Sequence, residues 1–437
     1  MKWLAFGAFL MVGVPFMAAM ATSSRKARVL LFAALVASTV LKISVNFYSI
    51  EDYRGPDRGF EISMTDLIAT GLGLGLIISQ WKQICWLPFN LLLYLGMVCM
   101  AIFSLANAPD FQLAGFTIFK WAKTTILYWT VFNCVWCDWP IRGMVAGIIG
   151  AAGIETLIGF QQKYLIGMYR INGTFDHSNA IPAYLLMIIP ILMSWMFARS
   201  RTTFENLASV IAILGMCFVV AATMSRAGLL LMGMTITGSL TYAIVKSPTP
   251  PKIGIAFLFM AIFLAGGIKS MDSFIERFEN APESSGQARD EFNDAADLMA
   301  EKNILGVGVN CFSRVMTEDA RYRESIHVME AEEHAGVCHH IYRLTAAEIG
   351  YAGLGVFLMI VGRFLFTMAP FAFGAYGEEG CILFGVAAGS LALHAVGLFE
   401  WVFRVTPVWN LFWITSGFGA ATAMRLKRGR QGEFEFP

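Results

Sequence analysis

The feature that most constrains this chain is a series of long apolar runs. About 20 consecutive apolar residues are enough for a helix to span the hydrocarbon core of a bilayer. Such runs lie near residues 3–21, 28–47, 64–81, 87–106, 113–136, 141–160, 178–198, 207–224, 226–245, 252–271, 345–369, 380–400 and 405–424. They are too long, and alternate too little in polarity, to be strands of a membrane barrel. The sequence therefore predicts an all-α polytopic membrane protein with about 12–13 transmembrane helices.

The composition indicates the same class of protein. Hydrophobic residues make up 57% of the chain and charged residues only 14%, whereas about a quarter of a soluble domain is charged. The net charge of +1 argues against a nucleic-acid partner, which would require a basic surface. Membrane lipids are therefore the expected surroundings of most of the chain.

One long polar segment, residues 272–344, interrupts the apolar runs and is called the insert below. It divides the chain into an N-terminal helix bundle (1–271), the insert (272–344), and C-terminal helices with a basic tail (345–437). A membrane protein retains so large a polar segment when the segment acts in water. A transporter or flippase is the alternative, but no inverted repeat is evident and the insert would have no purpose in it.

The distribution of basic residues predicts which side the insert faces. Short loops rich in lysine and arginine remain in the cytoplasm. These basic loops alternate with a second set, formed by residues 48–63, 106–112, 161–177, 272–344 and 400–404. The second set, with the insert, is therefore predicted to face outward, into a periplasm or its equivalent.

The first apolar run has two interpretations. Lys2 followed by an apolar core and Ala19-Met20-Ala21 is typical of a signal peptide. Basic residues follow at once, however, and would resist translocation. We therefore favour a retained helix.

Three arginines are candidates for binding an anionic substrate. Arg226 begins an apolar helix, where a charge is costly and often functional, although snorkelling to lipid phosphates explains it equally well. Arg170 and Arg289 lie in other outward segments and are weak candidates when taken singly. Because the planar guanidinium group suits bidentate binding of phosphate, convergence of the three would fit a substrate that carries a pyrophosphate.

Two adjacent histidines, His339 and His340, close the insert. On a helix they would point about 100° apart, so they are unsuited to one shared role. A histidine titrates near neutral pH, which suits a general base that accepts a hydroxyl proton. A structural or surface histidine is the alternative, and His339 is preferred to His340 as the base.

A zinc site is a further alternative within the insert. It would draw on His327, Glu330, Glu333, His334 and His339. These residues do not follow an established zinc-binding spacing. We therefore expect neither a metal nor a cofactor.

Two lysines and two acids lie within the apolar runs. Lys120 and Lys123 are three residues apart and share a helix face, where they either attract a phosphate or snorkel to lipid, the latter being slightly favoured. Glu155 and Glu348 are intramembrane acids and plausible partners for the cations.

The cysteines do not form a disulfide framework. Most lie in or beside apolar helices, where a free cysteine behaves as a small hydrophobic residue, and Cys134-x-x-Cys137 lacks a thioredoxin-like context. Cys311 and Cys338 both lie in the insert. A disulfide between them is the less favoured alternative, since sequence does not give their separation.

Three motifs occur in order between about residues 150 and 360. They are Arg-x-x-Gly-Thr-Phe…Asn at 170–179, Ser-Arg-x-x-x-Leu at 225–230, and a third set formed by Arg289, Gly306-Val307-Gly308, His339-His340-Ile341-Tyr342-Arg343-Leu344 and Ala347-Glu348-Ile349-Gly350. In this order and spacing the chain resembles the O-antigen ligase/polymerase family of bacterial membrane glycosyltransferases. His340 stands where that family usually has asparagine, and Arg343 stands where leucine is common.

The resemblance implies a GT-C-like fold and a metal-independent, inverting transfer of a glycan from an undecaprenyl-pyrophosphate carrier. The acceptor would be lipid A–core in a ligase, or a second lipid-linked glycan in a polymerase. His339 would be the base, while Arg226 and Arg289 would hold the pyrophosphate and stabilise charge on the leaving group. The residues expected to contact substrate are Arg170, Lys120, Lys123, Asn179, His340, Tyr342 and Glu348.

Overall fold

The computed structural model describes residues 2–138, 140–198, 202–250, 252–261, 283–324, 336–374 and 377–430. Across these residues the chain is mainly helical, with one small two-stranded sheet. The prediction of an all-α polytopic membrane protein is confirmed.

The helices and strands follow one another along the chain with short connections. The first group is α1 (Lys2–Ala8), α2 (Val14–Ser23), α3 (Arg25–Ser38), β1 (Ser44–Ser49), β2 (Gly59–Ser63), α4 (Met64–Gln80), α5 (Leu91–Phe103), α6 (Phe111–Asp138), α7 (Ile141–Phe160), α8 (Ala180–Ala198), α9 (Thr203–Ala222), α10 (Arg226–Lys246) and α11 (Lys252–Ala261). The second group is α12 (Glu283–Lys302), α13 (Phe312–Glu318), α14 (Ala320–Arg323), α15 (Ile341–Ala372), α16 (Gly377–Val396) and α17 (Thr406–Arg430).

Seven helices in the described part of the chain are long and apolar enough to cross a membrane. They are Phe6–Ser23, Ile141–Leu165, Ala180–Ala198, Thr203–Ala222, Arg226–Lys246, Ile341–Ala372 and Gly377–Val396. The other predicted runs also contain helices, among them α4, α5, α6 and α17, but these fall short of the same measure in length or hydropathy. The protein is thus a multi-pass membrane protein.

The predicted run 28–47 is wrong in its second half. Helix α3 ends at Ser38, and β1 begins at Ser44 and pairs with β2 in an antiparallel hairpin. The register runs from Ser44 opposite Ser63 to Asn46 opposite Glu61, and then becomes irregular. Strand β1 contains Val45, Phe47 and Tyr48, which are residue types that favour strands. The apolar length of the run therefore did not predict its secondary structure.

Helix α8 forms the centre of the bundle. Nearly every one of its side chains is buried, and α16, α10 and α9 pack around it. Gly389 of α16 permits this close packing, because a Cβ there would lie 2.2 Å from the carbonyl oxygen of Met187. The buried α8 gives Asn179, directly before its first residue, a fixed position.

The insert is attached to α15 at a kink in that helix. Gly350 has a φ of 74°, which breaks the regular helix after Glu348. The turn at Gly306, with a φ of 76°, packs against this break. Val307 N donates to Ala347 O at 2.8 Å, and Gly308 N donates to Glu348 O at 3.1 Å. The two glycine motifs are therefore complementary parts of one junction.

The five segments predicted to face outward meet on one side of the molecule, called the insert side below. Asn310 of the insert donates to Asp57 O in the hairpin at 2.8 Å, and Asn107 donates to Gly306 O at 2.9 Å. Lys42, just before the hairpin, pairs with Asp176 at 2.6 Å. These contacts bring segments of the non-basic set together.

The two insert cysteines are free. Cys338 Sγ lies 3.1 Å from Asn293 Oδ1, and Cys311 Sγ lies 3.7 Å from Asp110 O. Burial raises the pKa of each thiol to about 12, so both are protonated at neutral pH. With each thiol against a different residue, the structure does not contain the alternative Cys311–Cys338 disulfide.

Candidate functional site

A chain of polar contacts joins three separate parts of the sequence on the insert side. Arg170 donates from an Nη to Asn179 Oδ1 at 2.8 Å, and Asn179 Nδ2 donates to Glu400 Oε1 at 2.7 Å. The same Glu400 oxygen accepts from Arg289 at 3.1 Å. Glu400 therefore connects the first motif, before α8, to the insert helix α12.

The second motif joins this chain through its backbone. Arg170 Nε donates to Thr223 O at 3.0 Å, at the end of α9. Met224 then takes a left-handed conformation with a φ of 55°, and the Ser225 side chain caps α10 by accepting from Gly228 N at 3.3 Å. The turn leaves Arg226 exposed at the first position of α10, on the side where Arg170 is held.

Two side chains of the preceding helical segment, Gln162 and Glu155, accept hydrogen bonds from the loop that carries Arg170. Gln162 Oε1 accepts from Gly173 N at 2.7 Å, and Glu155 accepts from both the backbone and the hydroxyl of Thr174. Gly173 has a φ of 55°, and a Cβ there would lie 2.1 Å from a Glu155 oxygen. Glu155 thus supports the Gly-Thr-Phe turn, whereas the sequence suggested it as a partner for a lysine.

His339 lies beside Arg289 and just before α15. Burial, and then the positive charge of Arg289, lower the pKa of His339 to about 4. Its Nδ1 is buried and has no hydrogen-bond partner among the described residues. At neutral pH the ring is therefore uncharged and able to accept a proton.

His340 has a different environment from His339. Its Nδ1 accepts from Arg343 N at 3.5 Å, so His340 occupies the N-cap of α15. Arg343 in turn pairs with Asp297 of α12 at 2.9 Å. The two departures from the family pattern, His340 and Arg343, thus lie together at the junction between the insert helix and α15.

Tyr342 is directed into the helix bundle. Its hydroxyl lies 2.7 Å from His394 Nδ1 on α16. The ring packs against Phe357, with centroids 6.3 Å apart. The structure does not bring Tyr342 into the chain of contacts around Glu400.

The intramembrane charges form buried ion pairs. Lys120 pairs with Asp57 and Lys123 pairs with Asp66, each at 2.5 Å, and all four side chains are largely buried. Neither lysine snorkels to lipid, so the favoured interpretation was wrong. The partner of Lys120 lies in the hairpin, and the partner of Lys123 lies in the first turn of α4. Both elements pack against the outer half of α6.

Glu348 also has an unexpected partner. It is fully buried and pairs with Arg404 at 2.5 Å, beside the kink of α15. Arg404 lies over the ring of Trp121, 5.0 Å from its centroid. Glu348 was expected to contact substrate, but its side chain pairs with Arg404 at the junction between the insert and α15.

Glu400 is the functional candidate that sequence reasoning missed. It follows α16, and only 14% of its side chain is exposed. Burial raises its pKa, while Arg289 and Asn179 act in the opposite direction. One signal was present: an acid inside the apolar sequence Leu398-Phe399-Glu400-Trp401, in a loop already predicted to face the insert side.

A cavity of about 560 Å³ lies next to this chain of contacts. His177 and Trp401 belong to its wall, with ring centroids 5.6 Å apart. The cavity extends between the hairpin, the outer half of α6 and residues 401–410. Lys120 and Lys123 also line it, and so they lie near the site although they are paired.

The zinc alternative falls largely outside the described residues. His327, Glu330, Glu333 and His334 belong to the segment 325–335, so the structure does not test them. Among the residues that are described, no group of three or more His, Cys, Asp or Glu side chains is arranged to hold a metal ion.

Part of the chain matches a known protein family. Residues 210–358 match the family model described as O-Antigen ligase, whereas a search of curated proteins finds no match. The matched region includes Arg226, Arg289 and His339, and it ends before Glu400. The match supports the resemblance carried by the three motifs: over residues 210–358 the chain is similar to the O-antigen ligase family.

Proposed function

We propose that the protein transfers a glycan from an undecaprenyl-pyrophosphate carrier to an acceptor hydroxyl, at the periplasmic face of a bacterial inner membrane. The observation that carries this proposal is the convergence of Arg170, Asn179, Glu400 and Arg289 beside His339. Guanidinium groups beside an uncharged histidine are the groups that a pyrophosphate leaving group and a hydroxyl nucleophile require.

In the proposed reaction, His339 accepts the proton of the acceptor hydroxyl. The hydroxyl oxygen attacks the anomeric carbon, and the bond from that carbon to the pyrophosphate oxygen breaks. The electron pair leaves with the pyrophosphate, where Arg226 and Arg289 stabilise the developing charge. Attack on the side opposite to the leaving group inverts the anomeric centre.

Donor binding would adapt His339 to this role. The cation Arg289 holds the pKa of His339 low in the free enzyme. A pyrophosphate bound to Arg289 neutralises that charge and adds negative charge nearby, which raises the pKa of the histidine. The base therefore becomes stronger when the donor is in place.

Two arginines supply the positive charge that a divalent cation supplies in many glycosyltransferases, so we expect activity without a metal. Purified protein incubated with excess chelator should retain its transfer activity. If chelation abolished activity and zinc restored it, the insert histidines would become metal ligands and this mechanism would be wrong.

The proposal is tested by replacing the base. His339→Ala should abolish transfer in a reconstituted assay with lipid-linked glycan, while leaving expression and membrane insertion unchanged. His340→Ala is the matched control and should have a milder effect, because His340 caps α15. Full activity of His339→Ala would remove the basis of the assignment.

A deletion strain distinguishes the two branches of the family. Loss of glycan attachment to the lipid acceptor would indicate a ligase, whereas single repeat units on the surface would indicate a polymerase. If the strain instead accumulated lipid-linked glycan on the cytoplasmic side, the protein would be a transporter or flippase, and the proposed transfer reaction would be wrong.

A further inference from the structure

The cavity beside His177 and Trp401 contains polar atoms that have no partner among the described residues. Arg404 is 3% exposed and lines the cavity. One of its Nη atoms pairs with Glu348, but its Nε and the other Nη have no partner among the described residues. Asn410, 2% exposed and also in the wall, has an Oδ1 to which no residue in the described part of the chain donates. Because buried polar groups are normally hydrogen-bonded, these atoms indicate a polar ligand.

The rim of the cavity carries additional positive charge. Lys120, Lys123 and Arg404 are buried in the wall and each has a carboxylate partner. The exposed Lys42 is paired with Asp176. Arg54 and Arg58 on the hairpin are exposed and make no ion pair with a described residue. Glu61, on the same hairpin, also lines the cavity. The unpaired charge in the wall is therefore predominantly positive.

The walls also carry aromatic rings. Phe116, Phe119 and Trp401 lie among the charged side chains. Rings offer flat apolar faces, and arginine and asparagine offer hydrogen bonds, which is the combination that suits a polyhydroxylated ligand with acidic groups. The cavity is of the size typical of small-molecule sites, about 300–1,000 Å³.

The position of the cavity separates it from the groups assigned to the donor. Arg289 and Arg226 lie on the insert helix and α10, whereas the cavity lies beyond Trp401, towards the hairpin and α6. His177, in the cavity wall, is near enough to His339 to affect its pKa. A molecule held in the cavity would therefore approach the base from a side that the pyrophosphate does not occupy.

We propose that this cavity binds the acceptor glycan, and that it recognises phosphate or carboxylate groups on the acceptor sugars. The proposal rests on the transfer reaction proposed above. Arg404 and Asn410 bind the acceptor at the floor, Arg54 and Arg58 attract its acidic groups at the rim, and the reacting hydroxyl extends past His177 towards His339.

The test measures KM separately for the two substrates, using full-length protein with donor and acceptor lipids extracted from a deletion strain. Asn410→Ala, and the double variant Arg54→Gln with Arg58→Gln, should each raise the KM for acceptor by about tenfold. The KM for donor and kcat should not change. Arg321→Gln, an exposed arginine of α14 outside the cavity, is the matched control and should behave as wild type.

A chemically altered acceptor provides a second measurement. Acceptor whose phosphate esters have been removed and whose carboxylates have been amidated should bind wild type as weakly as native acceptor binds the double variant. The double variant should not distinguish the two acceptors.

The remaining outcomes are decisive. A raised KM for donor would assign the cavity to the donor glycan, and an unchanged KM for both substrates would leave it without a role, so either result overturns the proposal. If the proposed transfer reaction were wrong, wild-type protein would transfer no glycan even with both lipids present. This result differs from any change in KM among the variants.

Discussion

Glu400 accepts hydrogen bonds from Asn179 and Arg289 through a single oxygen, and this makes it the residue on which the site geometry depends. A buried carboxylate is costly unless it is paired, and here the pairing partners come from distant parts of the chain. The same contact that satisfies Glu400 also orients the guanidinium of Arg289. We therefore assign Glu400 a positioning role, in which it acts on substrate through the arginine.

Replacement of Glu400 should reduce transfer in a graded way. Glu400→Ala removes the partner of Arg289 and should lower kcat/KM about 10- to 100-fold, the range for hydrogen bonds to charged groups. Glu400→Gln keeps an acceptor for Asn179 and should lose less. Glu318→Gln, an acid that pairs with Arg314 on α13, is the control. Wild-type kcat/KM in Glu400→Ala would contradict the positioning role.

The pH dependence of the reaction should reveal the low pKa of His339. The base is active when uncharged, and its pKa is lowered to about 4, so kcat/KM should stay level through neutral pH. It should fall only as the pH drops towards about 4. Because bound pyrophosphate raises the pKa, the acid limb of kcat should lie at higher pH than that of kcat/KM.

Arg289→Gln provides the control for this profile. Removing the cation relieves the electrostatic effect that lowers the pKa of His339, so the acid limb of kcat/KM should move to higher pH in the residual activity. A limb that stays at the wild-type position in Arg289→Gln would show that His339 is not the titrating group. A limb near 6.5 in wild type would contradict the lowered pKa of His339.

At the scale of elements, the junction between the insert and α15 determines where Arg289 and His339 lie. Helix α12 packs on α15, and the Gly306 turn is bonded to the kink at Gly350. Arg289 lies in α12, before the Gly306 turn, and His339 lies just before α15. Its rigidity is therefore the condition for holding an arginine and a histidine beside one another.

Gly350→Ala should destabilise the protein, whereas Gly355→Ala in the same helix should not. A Cβ at Gly350 would lie 2.1 Å from Ile304 O, at a φ of 74°. With its ψ of 169°, this backbone conformation is nearly restricted to glycine and costs another residue about 1–3 kcal/mol. Gly355 has open space around it, and alanine favours a helix over glycine. Thermal unfolding in detergent should show a lower apparent Tm for Gly350→Ala only, and equal values would contradict the proposed junction.

At the scale of the whole molecule, the apolar runs and the loop charges predicted the helices and the two sets of loops. The arginines suggested that Arg170, Arg226 and Arg289 converge, and the contacts through Asn179 and Glu400 bring Arg170 and Arg289 together. Glu400 and Arg404 were beyond such reasoning, since each acquires its role from a partner more than fifty residues away. The hairpin was missed because pairing with a second strand, and not apolar length, decides the structure of residues 44–49.

The orientation of the molecule in its membrane is a property of the whole chain, and it decides which substrates the site meets. The hairpin, the insert and Glu400 share one side, and the basic loops of the sequence belong to the other set. Because basic loops remain in the cytoplasm, the insert side should face the periplasm, where a lipid-linked donor is available after it has crossed the bilayer.

Single-cysteine variants test this orientation. In a chain whose native cysteines are replaced, Arg321→Cys on the insert side should react with a membrane-impermeant maleimide in intact spheroplasts. Lys82→Cys, exposed after α4, should react only after the membrane is permeabilised. Retained transfer activity in both variants would show that labelling reports the native arrangement. The opposite labelling pattern would place Arg289, Glu400 and His339 in the cytoplasm, and the donor would then have to be used before it crosses the membrane.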